Sequence, residues 1–440
     1  MEDGEPRPHG GHFSAPVNTI PVEIVKEIFK FVVSHDFHPE EIFNIFDPYN
    51  LSQDELNRGP HLPTYASCAS PFALSHVSRH WRTISLESPA IWTSLRVIWP
   101  TTKRVELIKA WLARGRSMLL SLSLFQGANA ENVDASAATL SLFLKHIGRW
   151  RFIELTVHEQ VNHLLSDDSA AMMCIPEALR TVKIVVDRHD LSQRSEFYQL
   201  LHSSPNLRTA VWDNTRTRFQ MNGMILSSIV NLTFDVIYSS DDLLNALLEC
   251  KKLERLVING LCHGDDASPP SLELTYLRYL KLGDAGMTSS LFWHLKLPHL
   301  EELHLRGGDS SEGSFRVWVS VRPMLQRSAC SLRVFSIADL HDPEETVHLI
   351  STLRLPSFEK LARLEFHSRY TSSVISFSTA TPQENIKHTI STSRSSITTI
   401  VSNTQNNCGW KGKNADIVCA AKLAFSYEDE EALAHQEHAY

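Results

Sequence analysis

The residues of this chain with the strongest claim to chemistry are its histidines and carboxylates, and the closest approach to a metal site is His158-Glu159-Gln160-Val161-Asn162-His163. A zinc peptidase helix sets two histidines four residues apart, on one face, with a glutamate between them as general base. Here the histidines are five apart and would leave that face, so no metal centre is expected. Gly308-Asp309-Ser310-Ser311-Glu312-Gly313 does not set a glycine two residues to each side of a serine, so it cannot make a nucleophile elbow. No phosphate-binding or dinucleotide glycine pattern occurs elsewhere. The 22 histidines are scattered, and the pairs His9 with His12 and His35 with His38 fall in segments expected to be mobile.

Seven cysteines, at 68, 174, 250, 262, 330, 408 and 419, never form a Cys-x-x-Cys unit and are expected to be reduced thiols. The expectation is therefore a protein without catalytic residues, metal or cofactor. A hydrolase whose catalytic residues are distant in sequence would leave no local motif and stays open as an alternative.

Charge narrows the partners. Lys plus Arg is 42 against 50 for Asp plus Glu, a net charge of -8, which argues against the phosphate backbone of nucleic acid as a ligand. The first residues lack the apolar run of a secretory signal, and no stretch of eighteen apolar residues is present, so neither export nor a membrane span is expected. The chain is expected in the cytoplasm or nucleus. The sequons at Asn50 and Asn231 are then without consequence.

The elements that would position any binding residues begin at Pro21, which suits the first turn of a helix, with Glu23 favourable to its dipole. Ile24, Val25, Ile28, Phe29 and Val32 predict one apolar helical face. Leu74, Val77, Trp81 and Ile84 predict a second helix, and Ser88-Pro89 reads as the cap and first turn of a third that carries Ile91, Trp92 and Leu95. Three short helices bury little by themselves and leave apolar surface for a partner.

Three strings stand in order: Ile20-Pro21-Val22-Glu23-Ile24, then Val77-Ser78-Arg79-His80-Trp81-Arg82, then Pro89-Ala90-Ile91-Trp92. In this the segment resembles the F-box of fungal F-box-like proteins. The resemblance implies that Ile20, Pro21, Ile24, Ile28, Leu74, Val77 and Trp81 face a Skp-type adaptor and, through it, a cullin of a ubiquitin ligase. The departure is the long insert Ser34–Pro71, where a compact F-box has a short connection. A different expectation for the same helices is a structural cap on a repeat scaffold that engages no adaptor.

From about residue 119 to 366 a six-residue unit with apolar positions 1, 4 and 6 recurs ten times, beginning at Leu119, Phe152, Leu179, Leu207, Ile229, Leu253, Leu277, Leu300, Leu332 and Leu361. Between Leu207 and Leu300 the starts are 22, 24, 24 and 23 residues apart, a leucine-rich-repeat spacing. Flanking intervals of 27 to 33 residues make the array irregular. The positions that a strict repeat fills with Asn or Cys hold Leu261, Ala285, Gly308 and Leu340, so no asparagine ladder is expected.

Alternation within each unit predicts a short strand with its leucines inward. Outward residues would line one face: Glu154, Thr156 and His158; Thr209, Val211 and Asp213; Asn231, Thr233 and Asp235; Tyr279 and Lys281; Glu302, His304 and Arg306; Arg363, Glu365 and His367. Of these, Tyr279, Lys281, Glu302, His304, Arg306, Arg363 and Glu365 are the candidate contacts to a protein substrate. Between strands, Asp241-Asp242 followed by a run of leucines predicts a helix.

The expected fold class is α/β: a disordered N-terminus (1–17), a helical F-box-like module (18–98, insert 34–71), and an irregular leucine-rich-repeat solenoid with a parallel strand per repeat (99–369). An ordinary α/β domain with parallel strands is the alternative for the last of these. In the remainder (370–440), 17 of the 35 residues from Thr371 to Gln405 are Ser or Thr, which predicts a disordered tail.

Overall fold

The computed structural model describes residues 20–34, 71–126, 133–165, 174–187, 195–213, 226–237, 240–261, 271–283, 289–306, 314–338, 349, 351–367, 371–376, 386–392 and 396–401. The N-terminal segment, nearly all of the 34–71 insert, the Gly308–Gly313 string, the pairs His9/His12 and His35/His38, and the C-terminal residues after 401 lie outside them. The chain divides into two compact units, Met1–Ile153 and Glu154–Tyr440.

The first unit opens with α1 (Val22–Ser34), whose first turn carries Glu23. The single second helix expected from Leu74 to Ile84 is in fact two, α2 (Pro71–Val77) and α3 (Arg79–Leu86). Ser78 divides them. Its backbone is extended (φ -156°, ψ 168°) and its Oγ accepts a hydrogen bond from the Trp81 N–H at 3.1 Å, so it caps α3 where periodicity alone continues the helix. Arg82 Nε then donates to the Ser75 carbonyl at 3.0 Å and ties the two helices together.

The third helix is a short 3₁₀ turn, Pro89–Trp92, and Leu95 lies beyond it on β1 (Ser94–Ile98). Ser88 does not cap that turn, because its hydroxyl donates backwards to the Ile84 carbonyl at 2.6 Å. α4 (Thr102–Arg114), β2 (Leu120–Phe125) and α5 (Val133–Leu144) complete the unit, with β1 and β2 paired in parallel.

The first unit therefore runs well past residue 98, and its aromatic packing gives the reason. Trp92 lies edge-on to Trp111 of α4 at 5.0 Å and to Phe72 of α2 at 5.1 Å, while the Arg114 guanidinium stacks 4.6 Å from the Trp92 ring. Trp92 is fully buried, and its indole N–H is satisfied by the Ser85 carbonyl at 2.8 Å. The helices and α4 share one core.

In the second unit, after the end of β3 (Trp150–His158), comes a large parallel sheet: β4 (Thr181–Asp187), β5 (Thr209–Asp213), β6 (Asn231–Ile237), β7 (Arg255–Leu261), β9 (Tyr279–Leu282), β11 (Glu302–Arg306), β12 (Val334–Ala338) and β13 (Arg363–His367). Each of these eight strands begins two residues after one of the apolar unit starts, and neighbours in the sheet follow one another along the chain. The two missing from the order, β8 (Leu272–Glu273) and β10 (Leu295–Lys296), pair with each other in parallel.

Alternation produces the two faces. Leu232 and Phe234, Leu256 and Ile258, Leu280 and Leu282, Leu303 and Leu305, and Phe335 and Ile337 are all buried on the inner face. Helices α6 (Ser195–His202), α7 (Ser240–Glu249), α8 (Ser289–His294) and α9 (Ser314–Ser328) add Phe197, Leu244, Phe292 and Met324 to the buried set. The architecture is α/β with a parallel sheet.

The expectation of a structureless tail meets a different result as far as residue 401. β14 (Thr371–Ser376), β15 (Ile386–Thr392) and β16 (Ser396–Val401) extend the sheet antiparallel from β13. Ser-Ile-Thr-Thr-Ile-Val from 396 to 401 shows why: the hydroxyl count hides a run of β-branched residues suited to a pleated strand.

Candidate functional site

Two surfaces, one in each unit, gather the candidate binding residues. On α1 the apolar positions split into two stripes. Val25 and Phe29 turn inward and are buried, Phe29 against the Trp81 ring at 4.9 Å. Ile24, Ile28 and Phe31 repeat at i, i+4 and i+7 and stay exposed at 52%, 44% and 64%, as does Val77 of α2 at 61%. One apolar face is thus two, one of them buried and the other exposed.

This sorts the seven residues singled out in the sequence. Ile24, Ile28 and Val77 present apolar surface to solvent, Pro21 is exposed, and Ile20 and Trp81 are half-buried. Leu74 is a correction: it is 7% exposed, on the inward side of α2 with Pro71 and Ser75, and offers a partner little surface. Phe31 was missed, although its spacing from Ile24 and Ile28 carried the signal.

The second surface is the outward face of the sheet. Register aligns Thr181, Thr209, Asn231, Arg255, Tyr279, Glu302, Val334 and Arg363 in one row across the strands. The next row is Lys183, Val211, Thr233, Val257, Lys281, His304, Ser336 and Glu365. Tyr279, Lys281, Glu302, His304 and Arg363 are brought into one patch over β9, β11 and β13, with Arg306 at the far end of β11; Glu365 belongs to the same row but is 7% exposed and, like Leu74, offers a partner little surface. Arg255, outside the expected contact set, belongs to the same patch: its guanidinium lies 3.4 Å from the Tyr279 ring centroid.

The patch is internally coupled. The Tyr279 and His304 rings lie 4.9 Å apart, His304 Nε2 stands 3.7 Å from Glu302, too long for a hydrogen bond, and Arg363 pairs with Glu365. Burial pushes the Tyr279 phenol above its usual range, opposed by Arg255 and reinforced by Glu302. Burial also lowers the His304 pKa, against the pull of Glu365 and Glu302 and with a smaller push from Lys281. At neutral pH the centre of the patch is thus a neutral imidazole and a neutral phenol, with charged groups around it. Such a surface presents stacking, hydrogen-bonding and charged groups side by side.

The His158–His163 string is divided between the end of β3, a helical turn at Glu159–Asn162 and a 3₁₀ turn opening at His163. Among the described residues no group of three His, Cys, Asp or Glu side chains is placed to hold a metal ion, and no helix is long and apolar enough to cross a membrane. Burial raises the thiol pKa of Cys250 to about 12 and that of Cys330 to about 11, which keeps both in the unreactive form.

No protein-family model matches this chain, and no curated protein matches it.

Proposed function

We propose that this chain is a non-catalytic receptor subunit of a cullin-based ubiquitin ligase. Its N-terminal helices act as an F-box-like module that docks on a Skp-type adaptor, and its parallel strands form an irregular leucine-rich-repeat solenoid whose outward face holds a protein client. The observation that carries the reading is the second apolar stripe: Ile24, Ile28 and Phe31 of α1, with Val77 of α2, stay exposed while Val25, Phe29 and Leu74 of the same helices are buried. Exposed apolar side chains gathered on one small helical unit are the mark of a protein interface. The strand that starts two residues after each apolar unit start from Leu179 to Leu361 supports the solenoid reading.

In this role the chain supplies proximity. Holding the client beside a charged ubiquitin-conjugating enzyme raises the effective concentration of its lysines, and no side chain here acts as acid, base or nucleophile. Cytoplasm or nucleus is where such a receptor works.

A second reading has its own observation: Phe72, Trp92 and Trp111 pack together, so the helices also close the first unit as a cap would. The two are separated by co-expressing the full chain with a Skp-type adaptor and measuring the complex by affinity capture and size exclusion. The wild type is expected to bring the adaptor with it, and Ile28→Asp and Val77→Asp, both on exposed sites, to lose it with unchanged circular dichroism. Absence of a wild-type complex would favour the cap. Full binding by both variants would refute this interface.

A further inference from the structure

The parallel strands start along one edge of the sheet, where backbone hydrogen bonds string their preceding residues into a ladder. Arg208 donates to Arg180, Val230 to Arg208, Glu254 to Val230, Arg278 to Glu254, Glu301 to Arg278, Arg333 to Glu301 and Ala362 to Arg333, all N–H to carbonyl at 2.7 to 2.9 Å. Four of these eight residues are arginine and two are glutamate. The adjoining row adds Arg255 and Arg363 against Glu302. In a chain whose net charge is -8, this edge carries six arginines against three glutamates and no lysine.

The arginines are not evenly neutralised. Glu301 is shared between Arg278 at 3.5 Å and Arg333 at 3.8 Å. Arg180 and Arg208 instead sit on adjacent rungs, about 4.8 Å apart along the sheet, both exposed, with no carboxylate paired to either among the described residues. Arg208 spends hydrogen bonds on the Leu207 and Ser228 carbonyls, which fixes its guanidinium at the edge. Like charges on neighbouring strands cost stability. A planar guanidinium is also the cation best matched to a carboxylate.

We infer that this edge binds an acidic protein segment, whose carboxylates lie against Arg180 and Arg208 and extend toward Arg255 and Arg278. Eight rungs span about 34 Å, the length of roughly ten extended residues. The inference rests on the receptor reading only in calling that segment part of a client. Its charge logic would also attract nucleic acid, but the negative chain as a whole repels a polyanion that reaches beyond the edge.

The test uses the full chain and a fluorescein-labelled ten-residue peptide with Asp or Glu at alternate positions, followed by anisotropy at low and physiological salt. Binding that weakens with salt is expected. The double variant Arg180→Gln/Arg208→Gln should weaken it at least about tenfold, the scale of a lost charge-assisted pair. Lys103→Gln/Lys109→Gln, the same charge change on exposed residues of α4, should leave it intact. Equal loss in both variants, no loss in the first, or tighter binding of an oligonucleotide of equal charge would overturn the inference. Adaptor capture is measured on the same preparations. Lost peptide binding with retained capture assigns the effect to the sheet edge, whereas retained peptide binding without capture counts against the ligase reading alone.

Discussion

The guanidinium of Arg255 on β7 lies 3.4 Å from the ring centroid of Tyr279 on β9, its direct partner in register. The stack joins two neighbouring strands on the outward face and opposes the burial that raises the phenol pKa. Replacing Arg255 with glutamine removes the cation. The Tyr279 phenol should then titrate at still higher pH, read by ultraviolet difference absorbance against a Tyr279→Phe control. A cation–π contact of this kind is worth about 0.5–2 kcal/mol, so stability should fall by that order. An unchanged tyrosine titration would mean that the stack is not formed in solution.

His202, in the last turn of α6, is 1% exposed, lies 5.1 Å from the Trp212 ring at a tilt of 42°, and has no hydrogen-bond partner for either ring nitrogen among the described residues. Burial depresses its pKa from 6.5 to about 3. The unfolded chain therefore binds a proton between those values that the folded chain refuses, so stability falls as pH drops below about 6.5 and the loss levels off near pH 3. The slope from this one group approaches about 1.4 kcal/mol per pH unit within the window. His202→Phe keeps an aromatic ring beside Trp212 and removes two unsatisfied nitrogens. It should raise the urea midpoint at pH 7 and flatten the acid limb between pH 6 and 4. An acid limb identical to the wild type would show that other groups govern it.

What the sequence made legible followed from repetition. Eight strands start where the Leu-x-x-apolar-x-apolar spacing sets them, because a two-residue alternation beside a parallel neighbour has one way to bury its leucines. The patch residues of β9, β11 and β13 were legible for the same reason, since alternation alone turns Tyr279, His304 and Glu365 outward. Three features escaped it. The break at Ser78 depends on a side-chain hydrogen bond that competes with the helix, and hydrophobic periodicity does not register it. The burial of Leu74 and the exposure of Ile28 depend on which of two apolar stripes meets Trp81 and its neighbours, a tertiary choice. The strands from 371 to 401 were obscured by serine and threonine content, which does not distinguish a solvated coil from an edge rich in β-branched residues.

Glu154 of β3 and Lys183 of β4 form an ion pair at 3.0 Å with both side chains almost wholly buried. Such a pair contributes little net stability, yet breaking it strands a charge away from water. Lys183→Met alone should therefore cost about 3–5 kcal/mol, whereas Glu154→Leu/Lys183→Met should recover most of that loss. Urea denaturation of the two single variants and the double variant measures the coupling as a cycle. Additive losses would show that the pair is solvated.

Gly283 directly follows β9 and lies against the backbone of β7. Its N–H donates to the Ile258 carbonyl at 2.6 Å, and a Cβ at this position would lie 2.6 Å from the Asn259 Cα and closer still to the Asn259 carbonyl oxygen. Those atoms are backbone in a paired strand and cannot swing aside as a side chain would. Gly283→Ala must push the two strand ends apart, at a cost of about 1–3 kcal/mol. The movement would occur one residue beyond Leu282 and two beyond Lys281, at the margin of the outward patch. Thermal denaturation should register the loss, and amide exchange should quicken at Gly283 and its β7 neighbours while the β11–β12 pair keeps its protection. Wild-type stability in this variant would mean that the strands separate at Gly283 without help.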